Sequence, residues 1–183
     1  MLFIIGPAGI PTSASGKGSV EGVREVVRLG LNAMEIEFVR QVHLSPQAAK
    51  EVGEIAREKN VRLSVHAPYY INLCSQDKKI IEASKKRIFD SADRGEILGA
   101  DAIAIHVAYY SGLQPEQAFE KVKSEMLEIL DKMKQCGIKN VRLGVETMGR
   151  FSQFGSLEEV VALHKKVKQI IPYIDWGHLF VRG

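Results

Sequence analysis

Residues 63–68 read Leu-Ser-Val-His-Ala-Pro, a short apolar run that ends in a metal-binding side chain, His66. Three later stretches repeat the pattern. AIAIHVA (102–108) carries His106, RLGVETMG (142–149) carries Glu146, and YIDWGH (173–178) carries Asp175 and His178. His66, His106 and Glu146 follow one another at intervals of 40 residues, and each gap holds a helix-length pattern. Parallel strands joined by helices all end at one face, so ligands at strand ends meet on one rim. The reading is a single α/β domain over residues 1–183, a TIM (β/α)8-type barrel with about six βα units present.

Six apolar runs are expected as strands, at about 2–6, 33–38, 61–66, 102–107, 141–146 and 171–175. Most of them are almost continuously hydrophobic at their centres, as expected for strands buried on both faces of a parallel sheet. Helical patterns fall between them, at about 19–29, 46–59, 77–98, 115–136 and 156–168. Ser45-Pro46 offers an N-cap followed by proline at the first helical position. Ser156-Leu157-Glu158-Glu159 is a capping box. Gly30, Gly99 and Gly137 stand just past helix ends, where a left-handed residue is favoured.

A doubly wound sheet is the competing architecture, and it usually carries a phosphate-binding loop after its first strand. Here that segment, GPAGIPTSASGKGS (6–19), has six residues between Gly9 and Gly16, and Gly18 stands where the magnesium-binding hydroxyl is needed. It is not a P-loop. A full barrel has eight units, and the run of strands breaks off after the sixth. The expectation is therefore a fragment of a longer protein, with an open barrel edge available for self-association.

Composition sets wide limits. Hydrophobic residues make up 45% of the chain and charged residues 26%, ordinary for a globular domain. No segment is apolar enough to span a bilayer, and MLFIIGPAG lacks the basic start of a signal peptide, so no membrane is expected and the location reads as cytoplasmic. Cys74 and Cys136 share no motif and read as reduced thiols. A net charge of +3 and a pI near 8.8 are compatible with nucleic acid without arguing for it.

His66, His106, Glu146, Asp175 and His178 are the donor types expected for zinc and its neighbours. Glu146 follows Val145 on a buried strand, where an ionised carboxylate needs a compensating cation. Its two oxygens also suit it to bridge two metals, an arrangement used in phosphoester hydrolysis. His43 and His164 end no strand and read as solvated or packed.

At these residues the chain resembles the endonuclease IV family of apurinic/apyrimidinic endonucleases, archaeal-looking members in particular. The match runs in order through HAPYYINL (66–73), His106, VETMG (145–149) and IDWGH (174–178), equivalent to the first two-thirds of that family's barrel. The resemblance implies a cluster of up to three Zn2+ ions that hydrolyses the DNA phosphodiester 5′ to an abasic site in base excision repair. By position, His66, His106 and Glu146 hold one zinc, Glu146 bridges to a second that Asp175 also binds, and His178 serves the third. Glu146 is the catalytic residue of this set. Tyr69 matches the aromatic that the family inserts at the abasic gap, and Arg40 and Gln41 lie in the loop after the second strand, where the family probes DNA. Gly6-Pro7, Val107-Ala108 and Trp176-Gly177 depart from the family's pattern. Its remaining two His, one Asp and one Glu belong to later strands, so fewer zincs are expected here.

Two other readings fit parts of the pattern. A divalent-metal sugar isomerase or epimerase explains Glu146 and the D-x-x-H of Asp175 and His178, but gives Tyr69 no special task. A non-catalytic folding or interaction module explains the strands alone.

Overall fold

The computed structural model describes residues 3–183. The elements follow in the order α1 (Ser19–Arg28), β1 (Ala33–Glu37), α2 (Pro46–Glu58), β2 (Arg62–His66), α3 (Lys78–Leu98) and β3 (Ala102–Ile105). Then come β4 (Ala108–Tyr109), α4 (Pro115–Gln135), β5 (Arg142–Glu146), β6 (Gln153–Phe154), α5 (Leu157–Lys166), β7 (Ile170–Tyr173) and α6 (Trp176–Arg182). β1, β2, β3, β5 and β7 pair in that order into a five-stranded parallel sheet, the wall of an incomplete barrel with helices outside it.

The helix starts follow their sequence signals. Ser45 Oγ accepts from Ala48 N at 3.2 Å, and Pro46 occupies the first turn. Ser156 and Glu159 form the reciprocal capping box at α5. Gly99 closes α3 with φ +69°, a left-handed turn that an L-residue would strain to make. Strand burial follows the pleat. On β1, Met34 and Ile36 pack outward under the helices, while Ala33, Glu35 and Glu37 face the barrel interior. β3 is buried throughout, with Ile103 and Ile105 fully enclosed.

The structure departs from the sequence reading in three places. The first concerns residues 2–6. Residue 2 lies outside the described residues, and residues 3–6 form no strand. The chain runs beside β1, with Asn32 N donating to Ile5 O at 3.1 Å and Glu35 N to Pro7 O at 3.0 Å. Only Ala8 and Glu35 form a bridge. Proline has no N–H for a ladder there, and Phe3, Ile4 and Ile5 stay exposed. The described sheet therefore has five strands, one fewer than expected. Second, HLFVR (178–182), after the last strand, is helical. Asp175 caps α6 by accepting from His178 N at 2.6 Å, so the D-x-x-H spacing is a helix start as well as a ligand pattern. Third, β4 and β6 form a small antiparallel pair over the rim, each too short for a period-two pattern to register.

The sheet is curled enough for its two edge strands to touch through their side chains. Tyr173 of β7 donates its hydroxyl to Glu35 of β1 at 2.5 Å, and that hydroxyl lies 3.3 Å from Ser64 of β2. Burial is the first cause that pushes the Tyr173 phenol upward, reinforced by the Glu35 carboxylate. Gly144 on β5 makes room for the ring: a Cβ there would lie 2.9 Å from Tyr173 Cδ2 and 3.1 Å from Ile103 O. Replacing Gly144 with Ala is expected to destabilise the fold by about 1–3 kcal/mol, since the opposing carbonyl is backbone and cannot move away. A lower urea midpoint with an unchanged slope would show it.

Candidate metal centre at the strand-end rim

β2, β3 and β5 run in register, with His66 beside Ala104 and Ile105 beside Val145, so their C-terminal ends lie at one level. His66 and Glu146 are the last residues of β2 and β5, and His106 directly follows β3. Side chains 40 residues apart in sequence thereby become contacts. His66 Nε2 and His106 Nε2 each lie 3.2 Å from Glu146 Oε2, and His178 Nδ1 lies 3.4 Å from Glu146 Oε1. Two triads of donor atoms result, His66–His106–Glu146 and Glu146–Asp175–His178, each within 4.8 Å. All five expected ligands converge, and Glu146 belongs to both triads.

The backbone aims these side chains. His66 Nδ1 lies 2.8 Å from the Ala67 carbonyl, which favours a proton on Nδ1 and leaves Nε2 to face Glu146. His178 Nδ1 lies 2.8 Å from the Thr147 carbonyl. Thr147, fully buried, ties the Asp175 turn to β5: its Oγ1 accepts from Asp175 N at 2.9 Å and lies 3.2 Å from Asp175 O. Arg182 Nη1 reaches the carbonyls of Met148, Arg150 and Gln153, pinning α6 over the same loop.

Glu146 is 4% exposed. Burial works to raise its pKa, but the imidazoles of His106 and then His66 outweigh it and hold the carboxyl down to about 2. For His66 burial again opposes the charged form, and Glu146 followed by the Ala67 carbonyl raises its pKa above 6.5. Despite the 3.2 Å approaches, His106 Nε2 and Glu146 Oε2 have no hydrogen-bond partner by direction. Unpartnered buried lone pairs facing one another are the surroundings a divalent cation requires. The donors present fit one.

The DNA-contact expectations separate. Tyr69 covers the histidines, its ring centroid 5.2 Å from His66 and 5.6 Å from His106, while 44% of the residue stays exposed. Arg40 and Gln41 are exposed on the loop after β1, and neither joins the donor triads. His43 is exposed and meets Phe38 edge-on, and His164 lies 2.7 Å from the Ile170 carbonyl, in line with the solvated or packed reading. Two carboxylates escaped the sequence reading. Glu35 and Glu37 lie on the inner face of β1, and Glu37 is in register with His66. The signal was present: charges at alternate positions in an otherwise buried strand, MEIEF (34–38), mark an inward polar face. Thr147 had no such signal.

Residues 23–183 match the model of the "Xylose isomerase-like TIM barrel" family. An uncharacterised protein of Methanocaldococcus jannaschii is 34% identical over 183 residues, covering 100% of this chain and 64% of that protein. A probable endonuclease 4 of Oceanobacillus iheyensis is 33% identical over 163 residues, 84% of this chain and 53% of the relative. The chain thus spans less than two thirds of either relative's length. Among solved structures, endonuclease IV from Thermus thermophilus superimposes with a TM-score of 0.75 at 24% identity, covering 96% of this chain and 65% of that one. A D-tagatose 3-epimerase-like protein gives 0.70 at 21%, covering 93% and 65%. At these identities the superpositions speak for the fold alone.

Two outcomes follow from the geometry. Thr147→Val keeps the side-chain shape but frees the Asp175 turn, and is expected to weaken divalent-metal binding about 10–100-fold in calorimetric titration. The second concerns pH. A raised His66 pKa stabilises the metal-free fold fully below 6.5, and that contribution is lost as pH rises through the shifted value. Metal requires the neutral imidazole, so its stabilisation grows in the opposite direction. Thermal melts in chelator and in zinc, between about pH 5.5 and 8.5, should therefore diverge as pH rises.

Proposed function

The chain belongs to the xylose isomerase-like TIM barrel family, and on that premise we propose that its rim is the centre of a zinc-dependent apurinic/apyrimidinic endonuclease. The reaction is hydrolysis of the DNA phosphodiester 5′ to an abasic site. The observation that carries this reading is Glu146, which belongs to both donor triads, with Oε2 3.2 Å from His66 and His106 and Oε1 3.4 Å from His178. A carboxylate shared in this way suits the paired cations of phosphoester hydrolysis. The relatives named as probable endonuclease 4 support the same reading.

His66, His106 and Glu146 would hold one cation, and Glu146, Asp175 and His178 a second. Divalent cations there supply positive charge for the phosphate oxygens and lower the pKa of water. The protein's own part is positional. The Ala67 and Thr147 carbonyls orient His66 and His178, and the low-pKa Glu146 stays ionised across the physiological range. Tyr69 shields the histidines from solvent on one side and offers an exposed ring edge to the gap left by a missing base, where stacking has been lost. Arg40 and Gln41, exposed after β1, would contact the DNA.

A sugar isomerase or epimerase on the same barrel is the second reading. Glu35 and Glu37 favour it, since inward carboxylates accept hydrogen bonds from hydroxyls and repel phosphate.

Metal analysis together with a duplex carrying one tetrahydrofuran abasic analogue tests the proposal. Each triad supplies three protein donors, short of a closed four-ligand site, so at most one tightly held zinc and weak nicking are expected. His106→Ala should abolish both, and Tyr69→Phe should retain more nicking than Tyr69→Ala. Ketose interconversion in the absence of any nicking would replace this reading with the isomerase.

A further inference from the structure

Next to the rim, the Tyr69–Asn72 loop, the β4 strand and one face of α3 enclose a groove of about 490 Å3. Three tyrosines border it with their rings partly in solvent: Tyr69 is 44% exposed, Tyr70 63% and Tyr109 40%. Exposed aromatic area gathered in one place is unusual on a globular surface and marks contact sites. Lys79 and Arg87 line the same groove, two turns apart on α3.

The cations of α3 differ in their partners. Lys85 is held by Glu82, Glu125 and Glu128, and Lys86 by Asp90. Among the described residues, Lys79 and Arg87 have no carboxylate partner. Unpaired positive charge is thus available within the groove, as it also is at Lys78 outside it. The tyrosine platform is also held in place. Asn72 Oδ1 accepts from Tyr109 N at 3.1 Å, and its Nδ2 donates to Ser111 Oγ at 3.0 Å, tying the β4 segment to the tyrosine loop.

We propose that this groove binds a single-stranded stretch of nucleic acid, with bases stacked on Tyr70 and Tyr109 and phosphates against Lys79 and Arg87. Aromatic faces beside unpaired cations form the combination that holds single strands without base-specific contacts. An acidic peptide would use the cations but leave the row of rings without a task. The assignment rests on the nucleic-acid reading of the rim for its continuity, since Tyr69 borders both, but it needs neither metal nor cleavage.

Fluorescence anisotropy of the full chain with a labelled oligothymidylate, in chelator and across a salt series, tests it. The Lys79→Glu, Arg87→Glu double variant should bind about tenfold more weakly, and its salt slope should fall by about 1.4, roughly 0.7 for each lost phosphate contact. Tyr109→Ala should weaken binding several-fold, and Tyr109→Phe should restore it. Lys79 is exposed, so Lys79→Glu alone gives a folded reference, checked by circular dichroism. Wild-type binding by the charge variants, no binding by the folded wild type at low salt, or equal competition by polyglutamate would overturn the assignment. If the abasic duplex is never nicked but the groove variants still lose the oligonucleotide, the nuclease reading fails and the groove stands.

Discussion

A carboxylate buried at the end of a strand is the constraint around which this molecule is arranged. An ionised group with almost no solvent contact is costly unless opposite charge or hydrogen bonds compensate it. Glu146 meets that requirement with three imidazoles, from the ends of β2 and β3 and from the first turn of α6. The compensation is incomplete in direction, because Oε2 is close to two ring nitrogens without a true hydrogen bond to either. The cluster is therefore strongly polar yet partly unsatisfied, the condition under which a bound cation adds most.

The scaffold's task is to bring those groups to one level. Parallel pairing in a single register sets the ends of β2, β3 and β5 side by side, and backbone carbonyls then set the imidazole orientations. Below the rim the sheet curls until Tyr173 reaches Glu35, joining strands that lie at opposite ends of the hydrogen-bonded order. Gly144 permits that curl by leaving space for the tyrosine ring. The fold and the site are thus linked through β5, which carries both the glycine and the carboxylate.

Much of this was legible in advance, for identifiable reasons. Short apolar runs mark β2, β3, β5 and β7, β1 shows as apolar residues alternating with Glu35 and Glu37, and the caps at Ser45 and Ser156 are local chemistry. The failures are equally physical. The apolar run at 2–6 resembles a strand, but proline and exposure leave residues 3–6 outside the ladder. The segment after β7 is too short for helical periodicity, so α6 showed only as a ligand spacing. β4 and β6 have two residues each, and their pairing depends on partners distant in sequence.

From the sequence alone came the α/β class, the five candidate ligands, the solvated or packed reading of His43 and His164, and the resemblance carried by HAPYYINL. These depend on residue type and local period, which need no partner to be read. Tertiary structure alone decided that Glu146 is shared by two triads, that Thr147 clamps the Asp175 turn, that Glu35 and Glu37 share the interior with the site, and that Lys79 and Arg87 are left unpaired beside three tyrosines. Each of these is a distance between side chains far apart in sequence. Such distances are set by strand register and sheet curl, which arise only when the whole wall packs together.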